Sequence, residues 1–472
     1  EIGVRLVGSE MCIRDSSDVF NAIPVIIIDH DTLMNAVKLQ ELRVQHGLTT
    51  MYFSPAHLRA IVDDLRRPSP MNRLLQGDVG CGKTIVALLA ALVAMENDLQ
   101  VAFLAPTELL AEQHFLTIRR LLMSSRFTVA SLTGGGRAAK RRSTIAAIES
   151  GVVDLVVGTH ALVQETVRFK RLGLCVIDEQ HRFGVLQRAT LREKGHQPDV
   201  LVMTATPIPR TLALTAYGDL DVSTIRELPP GRRPIKTKLV PESRRDDVYS
   251  FVQRRLKEGR QAYVVYPLVE ESERSDLKAA TGMAETLASL MPGHEVGLVH
   301  GRMPADERDR IMRAFAAGSI HLLVATTVIE VGVDVPNANV MVIDHAERCG
   351  LAQLHQLRGR VGRGRHQSYC RLIYQRPLGE TARARLKAVA ATADGFEIAE
   401  TDLQLRGPGE MLGTRQSGVP TLRVANLLRD HTLMDTARKE AMRVLQDGAM
   451  TEQLLRHLDD GWTVRFGFAE VG

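Results

Sequence analysis

The sequence predicts an α/β protein: two tandem domains with parallel sheets, followed by a mainly helical C-terminal region. Three observations predict it. From about residue 55, apolar runs of strand length alternate with helical stretches. The break Leu228-Pro229-Pro230-Gly231-Arg232-Arg233-Pro234 interrupts that alternation, which then restarts. After about residue 375 the strand-length runs cease and helical patterns take over.

In the first domain, Val101–Leu104, Leu155–Val157, Leu174–Ile177 and Leu201–Met203 have the length and apolarity of buried strands. Helices are expected over Thr84–Glu96 and Glu108–Leu122. The second domain repeats the pattern with Ala262–Tyr266, Val296–Val299, His321–Ala325, Val340–Ile343 and Cys370–Tyr374. Helices follow at Glu380–Thr392 and, past a glycine-rich loop, within Thr421–Asp447. The expected boundaries are 1–54 unmatched, 55–228 first domain, 235–375 second domain and 376–472 helical region. The opening Glu1–Ser16 reads as a translated sequencing adapter and is set aside.

Aromatic residues are only 4% of the 472, so alanine, leucine and valine must fill the cores. The net charge of +5 mildly favours polyanionic partners. The five cysteines include no C-x-x-C pair, which argues against a zinc site and for a reducing, cytoplasmic setting. The longest apolar run, Ile85–Met95, is 11 residues. A membrane-spanning helix needs about 20, so no membrane role is expected.

Chemistry concentrates at three places. Gly77-Asp78-Val79-Gly80-Cys81-Gly82-Lys83-Thr84 satisfies G-x-x-x-x-G-K-[ST] between an apolar strand and an apolar helix. Its glycines let backbone N–H groups close around phosphate oxygens; Lys83 suits the β- and γ-phosphates of ATP, and the Thr84 hydroxyl suits Mg²⁺. Next, Leu174-Cys175-Val176-Ile177 runs into Asp178-Glu179-Gln180-His181. Asp178 is the expected metal ligand and Glu179 the residue that activates the attacking water. Asp178 alone would pass as a helix cap; after a phosphate loop in the same sheet, that reading is weak. Third, Gln356-Leu357-Arg358-Gly359-Arg360-Val361-Gly362-Arg363 lies in the second domain. A solvated basic face or a DNA-phosphate contact would explain such a cluster. The sharper reading gives Arg360 and Arg363 an arginine-finger role, reaching a phosphate held by the first domain, and leaves open which dominates.

With these motifs the chain resembles the superfamily 2 helicases, and within them the RecG family. The resemblance implies that both α/β domains are RecA-like, that the enzyme is an ATP-dependent DNA helicase or translocase acting in repair and recombination, and that ATP and Mg²⁺ are used. Ala105–His114, Leu132-Thr133-Gly134-Gly135 and Gly158-Thr159-His160 look like the DNA-groove motifs of the first domain. They assign Pro106, Thr107, Thr133, Gly134, Thr159 and His160 to backbone-phosphate contact, which binds without reading sequence. Met203–Thr211 resembles the motif that couples hydrolysis to movement. In the second domain, Gly301, Arg302 and Thr326 match DNA-facing positions, and Gly332 and Asp334 positions near the ribose. Asp402–Gly418, with Arg406 and Arg415, resembles the translocation motif that RecG shares with the transcription-repair coupling factor. Gln180 and the ending Arg465–Gly472 favour RecG of the two. The implied partners are duplex and branched DNA, with single-stranded-DNA-binding protein as a further one.

Several positions depart from that family. Its large N-terminal region with a fork-splitting wedge finds no match in residues 1–54. The stretch Phe53–Ile61 resembles the adenine-reading motif, with His57 in place of glutamine and a shorter spacing to Gly77. Cys81 stands for serine, which adds an expected sensitivity to oxidation. Cys349 stands for phenylalanine, and His345 for asparagine.

Overall fold

The computed structural model describes residues 3–7, 10–14, 27–29, 55–123, 125–134, 138–164, 166–178, 198–205, 220–227, 233–266, 273–326, 335–364, 366–406 and 431–446. Its contacts divide the chain into two compact units, Glu1–Pro207 with Asp221–Ile398, and Ile208–Leu220 with Ala399–Gly472. Within the first unit, Gly3–Val7, Glu10–Arg14 and Ile27–Asp29 pair as a small antiparallel sheet.

The first α/β lobe runs α1 (Pro55–Leu65), β1 (Asn72–Gly77), α2 (Lys83–Glu96), β2 (Gln100–Leu104), α3 (Glu108–Leu121), β3 (Val129–Leu132), α4 (Ala138–Ser150), β4 (Leu155–Gly158), β5 (Leu172–Asp178), β6 (Asp199–Thr204) and β7 (Asp221–Ile225). Its seven strands lie in the order β7-β1-β6-β5-β2-β4-β3, all parallel. The central strands are buried on both faces, which is why they read as unbroken apolar runs. Helix α2 is apolar nearly all round because it is packed between α1 and the sheet.

The second lobe runs β8 (Lys236–Pro241), α5 (Arg245–Lys257), β9 (Gln261–Tyr266), α6 (Glu273–Leu290), β10 (Val296–Val299), α7 (Ala305–Ala316), β11 (Leu322–Thr326), β12 (Ala338–Ile343), α8 (Leu351–Arg358) and β13 (Tyr369–Tyr374). Its six strands are again all parallel, in the order β8-β13-β12-β9-β11-β10. Among the described residues three helices follow: α9 (Glu380–Ala391), α10 (Gly395–Arg406) and α11 (His431–Gln446). Among the described residues no helix is long and apolar enough to cross a membrane.

The two lobes share one structural device. A buried glutamine opens a central strand in each and donates to two carbonyls from the end of a neighbouring helix and the turn after it. Gln100 donates to Ile148 O and Val153 O at 2.9 and 2.8 Å, and Gln261 to Phe315 O and Ile320 O at 2.5 and 2.8 Å. Each amide ties the last turn of a helix to the chain just beyond it, adding to the glycine N–H bonds that Ile148 O and Phe315 O already accept.

The sequence expectation for the strands holds at the centre of each sheet and misses β3, β7 and β8. All three are edge strands, half-exposed and partly polar, so they lack the apolar run used to find the others. Of the expected C-terminal helices, 421–430 and Asp447 lie outside the described residues.

Asp199, which opens β6, accepts the Met71 N–H at 2.6 Å. Burial, with a smaller push from the Asp64 charge, raises its carboxyl from 3.8 to about 6. A raised carboxyl binds its proton more tightly in the folded state, so stability falls as pH rises from the unfolded value through about 6 and stays lower above it. Asp199→Asn keeps a carbonyl acceptor for Met71 and removes the charge. Thermal unfolding is expected to show the variant more stable than wild type at about pH 7.5, with the gap closing by about pH 4. A gap equal at both pH values would contradict this assignment.

Candidate functional site

Parallel strands deliver their loops to one edge, and in open α/β sheets ligands bind beyond the carboxyl ends of the strands. In the first lobe that edge carries the phosphate loop after β1, Asp178 at the end of β5, Pro106 and Thr107 after β2, Thr159 and His160 after β4, and Thr133 and Gly134 after β3. The nucleotide candidates thus occupy one half of the edge and the DNA candidates the other. In the second lobe Gly301 and Arg302 follow β10, and Thr326 ends β11, the strand beside it.

The phosphate loop is built by tight turns and close approach. Gly80 and Gly82 have φ of 76° and 99°, the left-handed region that glycine enters without steric cost. A side chain on Gly77 would come within 2.5 Å of Cys81 Sγ and 2.8 Å of Ile225 O. No side chain caps α2 at Gly82, so none competes with an anion for the N–H groups at the start of the helix. Lys83 is 8% exposed, and its Nζ donates to Gly77 O at 2.7 Å and Asp78 O at 3.0 Å. Thr84 follows in the first turn of α2. Cys81 is 1% exposed, which corrects the expected oxidation sensitivity: oxidants have little access to its thiol.

Asp178 Oδ2 lies 2.8 Å from His114 Nε2, from α3. The imidazole in turn packs on Phe103, ring centroids 4.8 Å apart. This partner was not singled out for a role in the sequence, although it sits within the stretch likened to a DNA-groove motif. It fixes the orientation of the carboxylate, as outer-shell groups do around metal ligands.

The DNA candidates of the first lobe differ in what their side chains already do. Thr107 caps α3, its hydroxyl accepting the Leu110 N–H at 3.4 Å. Thr133 offers its carbonyl to Arg141 Nη1 at 3.0 Å, Thr159 is buried, and His160 and Gly134 are exposed. Thr326 is fully buried, whereas Gly301 and Arg302 are exposed.

The lobes meet at the phosphate loop. A side chain on Gly359, the residue after α8, would lie 3.1 Å from Val79 Cγ2, so the two backbones touch through that valine. Asp78 Oδ1 accepts the Val79 N–H at 2.6 Å and stands 2.8 Å from His355 Nε2 on α8. A surface ion pair, Arg313 to Glu112 at 2.7 Å, adds a second link between lobes. Arg360 is 7% exposed, and Arg363 Nε donates to Gly359 O at 3.5 Å; both leave the short stretch that borders Val79. Glu179, Gly332, Asp334, Arg415 and the translocation motif beyond Arg406 lie outside the described residues, as does the Arg406 side chain.

Other departures from the family acquire local explanations. His345 takes φ 46° and ψ 44°, a left-handed conformation that asparagine enters readily. His57 on α1 is half-buried, and burial lowers its pKa from 6.5. Cys349 is buried, and its carbonyl accepts Arg385 Nη1 at 2.9 Å.

Comparison with known proteins agrees with this geometry. The profile for DEAD/DEAH box helicases matches residues 56–215, and that for the helicase conserved C-terminal domain residues 244–365. Two RecA-like lobes with a phosphate loop between them define the motor of a superfamily 2 helicase. A third profile, described as ATP-dependent DNA helicase RecG, domain 3, C-terminal, matches residues 392–455. The chain belongs to the RecG family. It is 49% identical over 446 residues to the ATP-dependent DNA helicase RecG of Escherichia coli K12, covering 92% of this chain and 63% of that one. For the Synechocystis protein of that name the figures are 53% over 382 residues, 81% and 46%. The chain thus spans about half to three fifths of the length of these relatives. A solved structure of RecG bound to a three-way DNA junction superposes with a TM-score of 0.70 at 46% identity, covering 84% of this chain and 52% of that one. Yeast Dbp5 bound to RNA, at 18% identity and a TM-score of 0.54, shares the fold alone.

The Gly359–Val79 contact yields a test. Gly359→Ala is expected to push α8 off the loop and lower ATP turnover roughly 10-fold or more, since a small misplacement can cost about 10²-fold. Adding Val79→Ala vacates the space and is expected to restore most of the loss. Turnover by the double variant no better than by Gly359→Ala alone would show that the contact is not the cause.

Proposed function

We propose that this chain is the motor of an ATP-dependent DNA helicase that moves on duplex DNA and remodels branched DNA, such as stalled forks and Holliday junctions. The observation that carries this reading is the meeting of both lobes at the phosphate loop. A site split between lobes lets binding close the cleft and hydrolysis release it, a cycle that can do mechanical work. The similarity to a RecG solved on a three-way junction supports branched DNA as the substrate. Work on cytoplasmic DNA, with single-stranded-DNA-binding protein as a partner, accords with it.

In this reading the phosphate-loop N–H groups and Lys83 hold the β- and γ-phosphates of ATP. The Thr84 hydroxyl and Asp178 carboxylate are hard oxygen donors that suit Mg²⁺, which is usually held by one or two protein groups together with substrate phosphates. When bound, Mg²⁺ neutralises charge building on the phosphate oxygens. His114 keeps the Asp178 carboxylate turned for that contact. Glu179 takes the proton of the water that attacks the γ-phosphorus as its bond to the bridging oxygen breaks. Arg360 and Arg363 supply guanidinium charge from the other lobe. Pro106, Thr107, Thr133, Gly134 and His160, with Gly301, Arg302, Arg406 and Arg415, track the DNA backbone, with Thr159 and Thr326 buried behind that surface, and Gly332 and Asp334 border the ribose.

The test is ATP hydrolysis without DNA, with duplex and with a four-way junction, for wild type and Glu179→Gln. DNA is expected to raise turnover many-fold, most with the junction, and the variant to abolish it. Turnover indifferent to every DNA would instead mark an uncoupled ATPase.

A further inference from the structure

We propose that His355 is a positioning residue for hydrolysis: it fixes α8, and with it Arg360 and Arg363, against the phosphate loop. This rests on the reading of the site as an ATP hydrolase. His355 is 4% exposed and lies between two charged groups. Arg358 Nη2 lies 2.9 Å from His355 Nδ1, and Asp78 Oδ1 lies 2.8 Å from Nε2. A guanidinium has only donors, so Nδ1 must be the bare, accepting nitrogen. The proton then sits on Nε2 and is donated to Asp78. The two neighbours thus select one tautomer, and the ring cannot flip without losing both bonds.

Each neighbour is anchored in turn. Arg358 is 3% exposed and donates through Nη1 to Val389 O and Thr392 O, each at 2.7 Å, and through Nη2 to Ala393 O at 3.3 Å. These carbonyls lie at the C-terminal end of α9, where helix carbonyls lack partners and positive charge is favoured. On the other side, the Asp78 oxygen that receives His355 is the one that accepts the Val79 N–H. One oxygen therefore shapes the phosphate loop and docks the other lobe. Between these anchors α8 has little freedom to slide or rotate, and the arginines begin two residues after Arg358. His355 acts on the reaction through Asp78 and α8 rather than by contact with nucleotide or metal.

Three variants separate positioning from packing. His355→Phe keeps the ring volume and removes both hydrogen bonds. His355→Asn places an amide near the Nδ1 position, within reach of Arg358 and short of Asp78. His355→Gln carries an amide far enough to donate to Asp78. Nucleotide affinity, from a fluorescent ATP analogue, and turnover at saturating ATP and duplex DNA are measured for each. The expected result is affinity within about 3-fold of wild type in all three, turnover down roughly 10- to 100-fold in Phe and Asn, and substantial recovery in Gln. Undiminished turnover in Phe or Asn, affinity falling in step with turnover, or Gln no better than Asn would overturn the proposal. Should the Phe variant fail to fold, the Asn and Gln pair decides alone. A wild type that binds or hydrolyses no ATP would instead sink the reading of the site itself.

Discussion

The arrangement depends on one carboxylate oxygen. Asp78 Oδ1 takes a hydrogen bond from its own loop, at Val79, and one from the opposite lobe, at His355. The loop curvature that lets glycine backbones surround a phosphate and the contact that brings the second lobe to it are therefore satisfied at the same atom. Glycine at 359 completes the constraint, since the lobes could not approach as closely with a side chain pressing on Val79.

Parallel topology explains why the site can be assembled at all. Each lobe sends every loop that follows a strand to a single edge, so residues as far apart in sequence as Gly77 and Asp178 emerge on one side of a sheet. The remainder of the first lobe's edge, after β2, β4 and β3, is left for a second ligand. Hydroxyl, imidazole and small residues predominate there, the set proposed above to contact DNA. The second lobe repeats the plan, down to the glutamine that ties helix to strand at Gln100 and Gln261.

Much of this was legible in the sequence. Strands buried on both faces have to be apolar throughout, so the central strands of both sheets appeared as runs. The phosphate loop appeared because its chemistry demands glycine, lysine and threonine at fixed spacing. The edge strands β3, β7 and β8 were not legible, since half-exposure permits lysine, serine and threonine within them. Nor were His114 beside Asp178, or His355 beside Asp78. A histidine within a helix carries no local signal of its partner, and the second pair is 277 residues apart in the chain. Such pairs are fixed by how strands order themselves and how lobes meet, which periodicity and spacing do not encode. His345 illustrates the opposite case: the family's asparagine at that place is explained by a left-handed backbone that only the fold reveals.

The proposed hydrolysis draws groups from both lobes. The direct measurement is turnover at saturating ATP and DNA, with ATP affinity measured in parallel, for Arg360→Lys. Lysine keeps the positive charge and loses the planar fork that bonds phosphate oxygens in pairs. Affinity is expected to change little and turnover to fall by two or more orders of magnitude, within reach of the roughly 10³-fold or greater worth of an arginine finger. Turnover equal to wild type would contradict it and leave the first lobe as a self-sufficient ATPase.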